Sequence, residues 1–219
     1  MKVYMSVDME GITGVVAWDH VERGKDGYER FRRIMTKEAD AAAKGAFDAG
    51  ATEVVVNDSH SSMRNIIIED LDPRVKLISG STKPLSMMEG IGSDFNAVLF
   101  VGYHSRASSL GVLNHTYTGK VAHYWVDGKV MGEIGMNSLI AGFYGVPVVF
   151  VSGDSIVTEE ARTLLGNVET VTVKEPRSQF SALNLHPERS RELIREGVAA
   201  AIGNISKYSP LVPKSPSTV

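Results

Sequence analysis

Short apolar runs separated by longer amphipathic segments leave this chain few ways to fold. Lys2 to Val7 reads as a strand with no turn signal inside it. From Tyr28 to Ala49, Phe31, Ile34, Met35, Ala39, Ala42 and Ala46 recur at helical spacing, and Gly50 stands where a left-handed C-terminal cap is expected. Glu53 to Val56, Val75 to Ile78 and Ala97 to Val101 read as further strands. Asp127-Gly128 sits between His123–Val126 and Lys129–Met131, the best hairpin signal in the sequence. A helix from about Glu133 to Tyr144, a strand at Val148 to Val151, a helix at Thr158 to Leu165 and a strand at Thr170 to Val173 follow. The last helix, about Pro187 to Ser206, places Leu193, Ile194, Val198, Ala201, Ile202 and Ile205 on one face.

Strands alternating with helices imply an α/β fold: a mostly parallel sheet with helices on both faces and an antiparallel hairpin addition. Residues 1–208 are expected to form one domain. Residues 209–219 carry Pro210, Pro213 and Pro216 with little to pack, and are expected to form an extended or loose tail.

Composition narrows the chemistry. The chain has no cysteine, which excludes disulfides, thiolate zinc sites, iron–sulfur clusters and cysteine nucleophiles. Its formal charge of −3 argues against holding nucleic acid by bulk electrostatics. The longest apolar stretches, such as Val146 to Val151, fall far short of the roughly 20 residues a membrane helix needs. Met1 to Val7 runs directly into Asp8 and lacks the apolar centre of a signal peptide, so a cytoplasmic protein without a membrane partner is expected.

Ligands of open α/β sheets gather at the carboxyl ends of the strands. The first strand runs into Asp8-Met9-Glu10, the second into Asn57-Asp58-Ser59-His60, the third long one into His104, and the Val148 run into Gly153-Asp154. Carboxylates and imidazoles on one rim suit zinc or manganese. Asp8 and Glu10, two apart, leave the same face of an extended chain and repel unless a cation lies between them. Each residue also has a plainer reading. Glu10 could face solvent or cap the next segment, and His60 and His104 could be hydrogen-bonded loop residues. Glu133 could simply pair with a helix N-terminus. His115 could be a surface histidine or a general acid or base. The Ser79–Pro84 stretch lacks P-loop spacing and reads as a loop. Met87-Met88 reads as core filling. His20, His123 and His186 have no partner pattern, and no Gly-x-Ser-x-Gly elbow occurs.

The segments Met5-Ser6-Val7-Asp8-Met9-Glu10-Gly11-Ile12, Val56-Asn57-Asp58-Ser59-His60-Ser61, Gly102-Tyr103-His104-Ser105-Arg106-Ala107 and Gly132-Glu133-Ile134-Gly135 fall in order along the chain. Together they resemble the zinc-dependent D-aminopeptidase family of the DppA type, from Met1 to about Lys207. The resemblance implies metal ligands at Asp8, Glu10, His60, His104 and Glu133, and a catalytic histidine at His115. It implies two zinc ions per subunit with Asp8 bridging them, and release of the N-terminal residue, preferably D, from short peptides. It also implies a ring-shaped homodecamer whose sites face an interior channel. Family chains usually continue for several tens of residues past the position of Val219, so that C-terminal segment is expected to be absent, with consequences for subunit contacts.

Two rival functions use the same rim. A metal-dependent phosphoesterase would need basic side chains for the phosphate, and only Lys83 and Arg106 stand near. A non-catalytic metal-binding protein of the same fold would hold zinc without turnover.

Overall fold

A computed structural model describes residues 1–219. Its main sheet contains β1 (Lys2–Val7), β2 (Glu53–Asp58), β3 (Lys76–Ile78) and β4 (Ala97–Tyr103), and further along the chain β7 (Val148–Asp154), β8 (Glu169–Ser178) and β9 (Ser181–Asn184). The strand order is β3-β2-β1-β4-β7-β8-β9, and every pairing is parallel except β8 with β9. The helices are α1 (Tyr28–Asp48), α2 (Glu133–Phe143), α3 (Ser155–Leu165) and α4 (Pro187–Gly203). None is long and apolar enough to cross a membrane.

Central strands need cover on both faces, which explains their nearly unbroken apolar composition. Val3, Met5 and Val7 of β1 pack with Met35, Ala39, Ala42 and Ala46 of α1 and with Ile194, Val198 and Ala201 of α4. Tyr4, from the alternate face of β1, packs in a second cluster with Ile134 and Ala141 of α2 and Val157 and Ala161 of α3. The chain therefore winds helices onto opposite faces of one sheet. The winding reverses beside β1, whose two neighbours are β2 and β4. A crevice opens at the carboxyl ends of strands where such a reversal occurs.

Several boundaries differ from those read in the sequence, each for a local reason. β2 runs on to Asp58 because Asn57 and Asp58 pair with Ser6 and Val7 in the ladder. β4 runs on to Tyr103 and β7 to Asp154, and these two ends pair with each other at Tyr103 and Gly153. α3 starts at Ser155 rather than Thr158, because the Asp154 carboxylate accepts from the Ile156 and Val157 amides as an N-cap. α4 stops at Gly203, three residues early, and a short 3₁₀ turn follows at Ile205–Lys207. β8 extends to Ser178 and folds back as β9, a hairpin the sequence did not announce. Pro176 is tolerated there because β8 has left the parallel core by that point.

The Asp127-Gly128 hairpin forms, with both turn residues at positive φ (52° and 77°). Its strands, β5 (Trp125–Val126) and β6 (Lys129–Val130), make a separate two-stranded sheet instead of joining the main one. The C-terminal segment has no helix or strand, but it is not loose. Thr218 and Asp127 exchange backbone and side-chain hydrogen bonds at 2.9 and 3.0 Å, and the Leu211 carbonyl lies against Gly142 of α2.

Candidate metal centre

Two glycines bring the ligand-bearing segments together. After β1 the chain crosses the end of β4, where the Gly11 amide donates to the Gly102 carbonyl at 2.8 Å. A β-carbon on Gly11 would sit 1.9 Å from the Tyr103 carbonyl oxygen. Gly102 has φ +70°, and its own β-carbon would meet the Asp8 carbonyl oxygen at 2.4 Å. Only this close crossing lets Asp8 and Glu10 reach the side chain that follows β4, His104.

Asp8, Glu10, His60, His104 and Glu133 are all buried and share one end of the sheet. Asp8 lies between the two histidines, with Oδ1 3.2 Å from His60 Nδ1 and Oδ2 3.4 Å from His104 Nε2. Glu10 Oε2 approaches His60 Nδ1 at 3.1 Å, and Glu133 Oε1 approaches His104 Nε2 at 3.4 Å. Glu133 opens α2, and it also accepts the Tyr117 amide at 2.7 Å. The outer nitrogens of both rings are taken. His60 Nε2 donates to the Val21 carbonyl at 2.9 Å, and His104 Nδ1 donates to the Ser105 carbonyl at 3.0 Å. Each ring is thereby fixed with its remaining nitrogen facing the carboxylates.

The charges are frustrated. Burial, then the neighbouring Glu10 carboxylate, pushes Asp8 up to about 7. Burial also works against a charged Glu10, but the imidazoles of His60, His104 and His115 together outweigh it and hold Glu10 well below the usual carboxylate range. Glu133 is lowered in the same way, with His104 overcoming burial. Both histidines are held well above their ordinary value: burial opposes the charge, while Glu10 dominates at His60 and Glu133 at His104. Asp8 Oδ2, Glu10 Oε2 and His104 Nε2 are buried without a hydrogen-bond partner. Buried polar atoms are seldom left so, and here they converge. Ligand atoms of Asp8, Glu10 and His104 lie within 4.8 Å of one another, as do those of His104, His115 and Glu133. Hard oxygen and imidazole donors in this arrangement fit divalent zinc.

His115 stands at the edge of the cluster. Its Nδ1 donates to the Leu113 carbonyl at 2.9 Å, and its Nε2 is 3.9 Å from Glu133 Oε1. Burial, then the positive charge of His104, lowers its proton affinity below that of a free histidine. A cavity of about 340 Å³ opens over these groups. Trp18, Glu22, Met63, Met87 and Tyr117 help to wall it, and no lysine or arginine does.

Two histidines and three carboxylates thus form one centre beneath a small cavity. The D-aminopeptidase family model matches residues 1–219. The chain belongs to the D-aminopeptidase family. A D-aminopeptidase of Bacillus subtilis (strain 168) is 46% identical over 213 residues, covering 97% of this chain and 78% of that protein. The solved structure of the Zn-dependent D-aminopeptidase DppA from Bacillus subtilis, described as a self-compartmentalizing protease, superposes with a TM-score of 0.96 at 46% identity. It covers 98% of this chain and 78% of its own.

Other strand-end residues in this D-aminopeptidase family member do structural work. Asp58 accepts the Asn65 and Ile66 amides and the Asn65 side chain, closing the loop after β2. Asp154 caps α3 and accepts the Val112 amide at 2.7 Å. Lys83 donates to Asn57 Oδ1 and the Asp58 carbonyl, and Arg106 to the Ala107 carbonyl, so neither basic side chain faces the cavity. His20 stacks on Phe31, His186 caps α4, and His123 lies beside Trp125. Met88 is core as expected, but Met87 has a second role as cavity wall. Trp18, Glu22 and Tyr117 gave no signal in the sequence, because loops of unremarkable composition carry them.

Proposed function

We propose that this protein is a two-zinc aminopeptidase that releases the N-terminal residue, in the D configuration, from short peptides or amides. The observation that carries this reading is the placement of Asp8, whose two carboxylate oxygens each face a different histidine. Asp8 would serve both ions, with Glu10, His60, His104 and Glu133 completing the set. Zinc bound there would polarise the scissile carbonyl and lower the pKa of a bound water towards roughly 7.

His115 does its work beside the cluster. With Nδ1–H committed to the Leu113 carbonyl, its neutral ring offers the Nε2 lone pair on the Glu133 side. Its lowered proton affinity favours that neutral form near pH 7, so it accepts a proton as the peptide is attacked and returns it to the departing amine. Glu22 lines the cavity outside the ligand set, where its carboxylate can receive the α-ammonium of a peptide, and no lysine or arginine lines the cavity to hold a phosphate ester. The D preference is carried over from family membership and a self-compartmentalizing assembly from the solved relative, while the decameric count rests on the motif resemblance alone.

The test compares release of alanine from D- and L-alanine amides before chelation, after chelation and after zinc is returned. Zinc-dependent turnover of the D-amide supports the reading. Zinc-dependent hydrolysis of a chromogenic phosphate ester, with both amides untouched, would replace it with the phosphoesterase. Zinc bound with no turnover would leave a non-catalytic binding protein.

A further inference from the structure

Lys174, in β8, is fully buried, and its ammonium donates to three carbonyls of one loop: Glu10 at 2.6 Å, Ile12 at 3.0 Å and Val15 at 2.7 Å. All three donors of the group are thereby used on the segment that leaves β1 and carries Glu10. The same segment is tied from other sides. The Thr13 amide donates to Glu38 Oε1 at 3.1 Å, the Thr13 hydroxyl to Ser190 at 2.8 Å, and the Gly14 amide to the Asn184 side chain at 3.0 Å.

We infer that Lys174 is a positioning residue, which fixes the backbone from Glu10 to Val15 so that the Glu10 carboxylate is held in the metal centre before any cation arrives. The inference rests on the zinc reading of that centre. Burying an ammonium is costly, and a methionine would fill the same space without that cost, so packing alone does not account for a lysine here. What a methionine could not do is gather three diverging carbonyls. Left alone, those carbonyls would turn toward water, and the loop would swing Glu10 away from His60. Lys174 touches neither cation nor substrate, and it acts only through the carbonyl of a ligand residue, in the manner of groups that orient metal ligands from behind.

The test measures zinc affinity by chelator competition and the unfolding free energy of the zinc-free protein, in parent, Lys174→Met and Val198→Ala. Val198 packs in the core on α4 and its side chain has no donor to offer the three carbonyls, so its truncation calibrates the effect of lost stability alone. Lys174→Met is expected to bind zinc roughly 10- to 100-fold more weakly. Val198→Ala is expected to lose stability and keep the parental affinity. Parental zinc affinity in Lys174→Met overturns the inference, as does equal weakening by Val198→Ala. Should Lys174→Met not fold, Lys174→Leu, which likewise has no N–H donor, is judged by the same criterion. A parent that binds no zinc at all would instead remove the metal reading itself.

Discussion

The rings of His104 and His115 stack face to face, with centroids 4.0 Å apart and planes within 11° of parallel. Two imidazoles in such contact do not both take up the second proton and become positively charged without mutual repulsion, and the carboxylate contacts of His104 decide between them. His104 faces Asp8 and Glu133, while His115 has only the longer approach to Glu133. The pair thus separates into one ring held between two carboxylates and one ring at the edge of the cluster, the division on which the proposed role of His115 rests.

Replacing His115 tests that division. His115→Ala is expected to retain both zinc ions and to lose roughly 10²- to 10⁴-fold in kcat. Elemental analysis and steady-state rates on D-alanine amide measure both quantities. Loss of one ion would reassign His115 as a ligand, a role its proximity to His104 and Glu133 allows.

Asp8→Ala is expected to empty the centre of both ions, because each oxygen of Asp8 addresses a different histidine. Zinc content after dialysis is the measurement. One ion retained at full occupancy would make Asp8 a ligand to a single cation.

Glu22 lines the cavity outside the proposed ligand set. Glu22→Gln is expected to raise KM for substrates with a free amine by roughly two- to fivefold, the size of a solvent-screened charge pair, and to leave kcat close to parental. Salt should shrink the difference. An unchanged KM at low salt would mean that Glu22 does not sense the ammonium.

Glu38 gives a pH signature unconnected with catalysis. Burial pushes its carboxyl up to about 7, and Oε2 has no hydrogen-bond partner. Between its ordinary value and about 7 the unfolded chain releases this proton and the folded chain keeps it. The stabilising contribution is therefore complete at acid pH and is lost as pH rises through about 7. Glu38→Gln should remove that loss, gaining up to about 3 kcal/mol over the parent between pH 4.5 and pH 8. Urea unfolding of the zinc-free proteins at the two pH values reads the difference. A gap that does not widen with pH would place the ionised carboxylate in the folded state.

The alternation of apolar runs and amphipathic helices was enough to read the parallel sheet, because a buried parallel strand advertises itself as an unbroken apolar stretch. The strand ends were harder. Asn57, Asp58 and Asp154 look like loop residues, and only ladder pairing and helix capping draw them into regular structure. The β8–β9 hairpin escaped notice because Ser178 to Ser181 contains no glycine or asparagine to mark a turn. At the site, the ligand-type residues were visible as the punctuation after each strand. Lys174 was not, since a lysine just past the Thr170–Val173 run reads as solvent-facing until β8 carries on to Ser178 and the fold buries it under three carbonyls.

The hydrogen bonds from His60 to the Val21 carbonyl and from His104 to the Ser105 carbonyl give the two rings opposite polarity. His60 points inward with the nitrogen nearer its own backbone, and His104 with the farther one. Amide side chains imitate these two positions differently, since asparagine reaches only as far as the near nitrogen and glutamine as far as the distant one. Conservative stand-ins therefore differ between the two sites, His60→Asn at one and His104→Gln at the other, and exchanging them would leave one arm too long and the other too short.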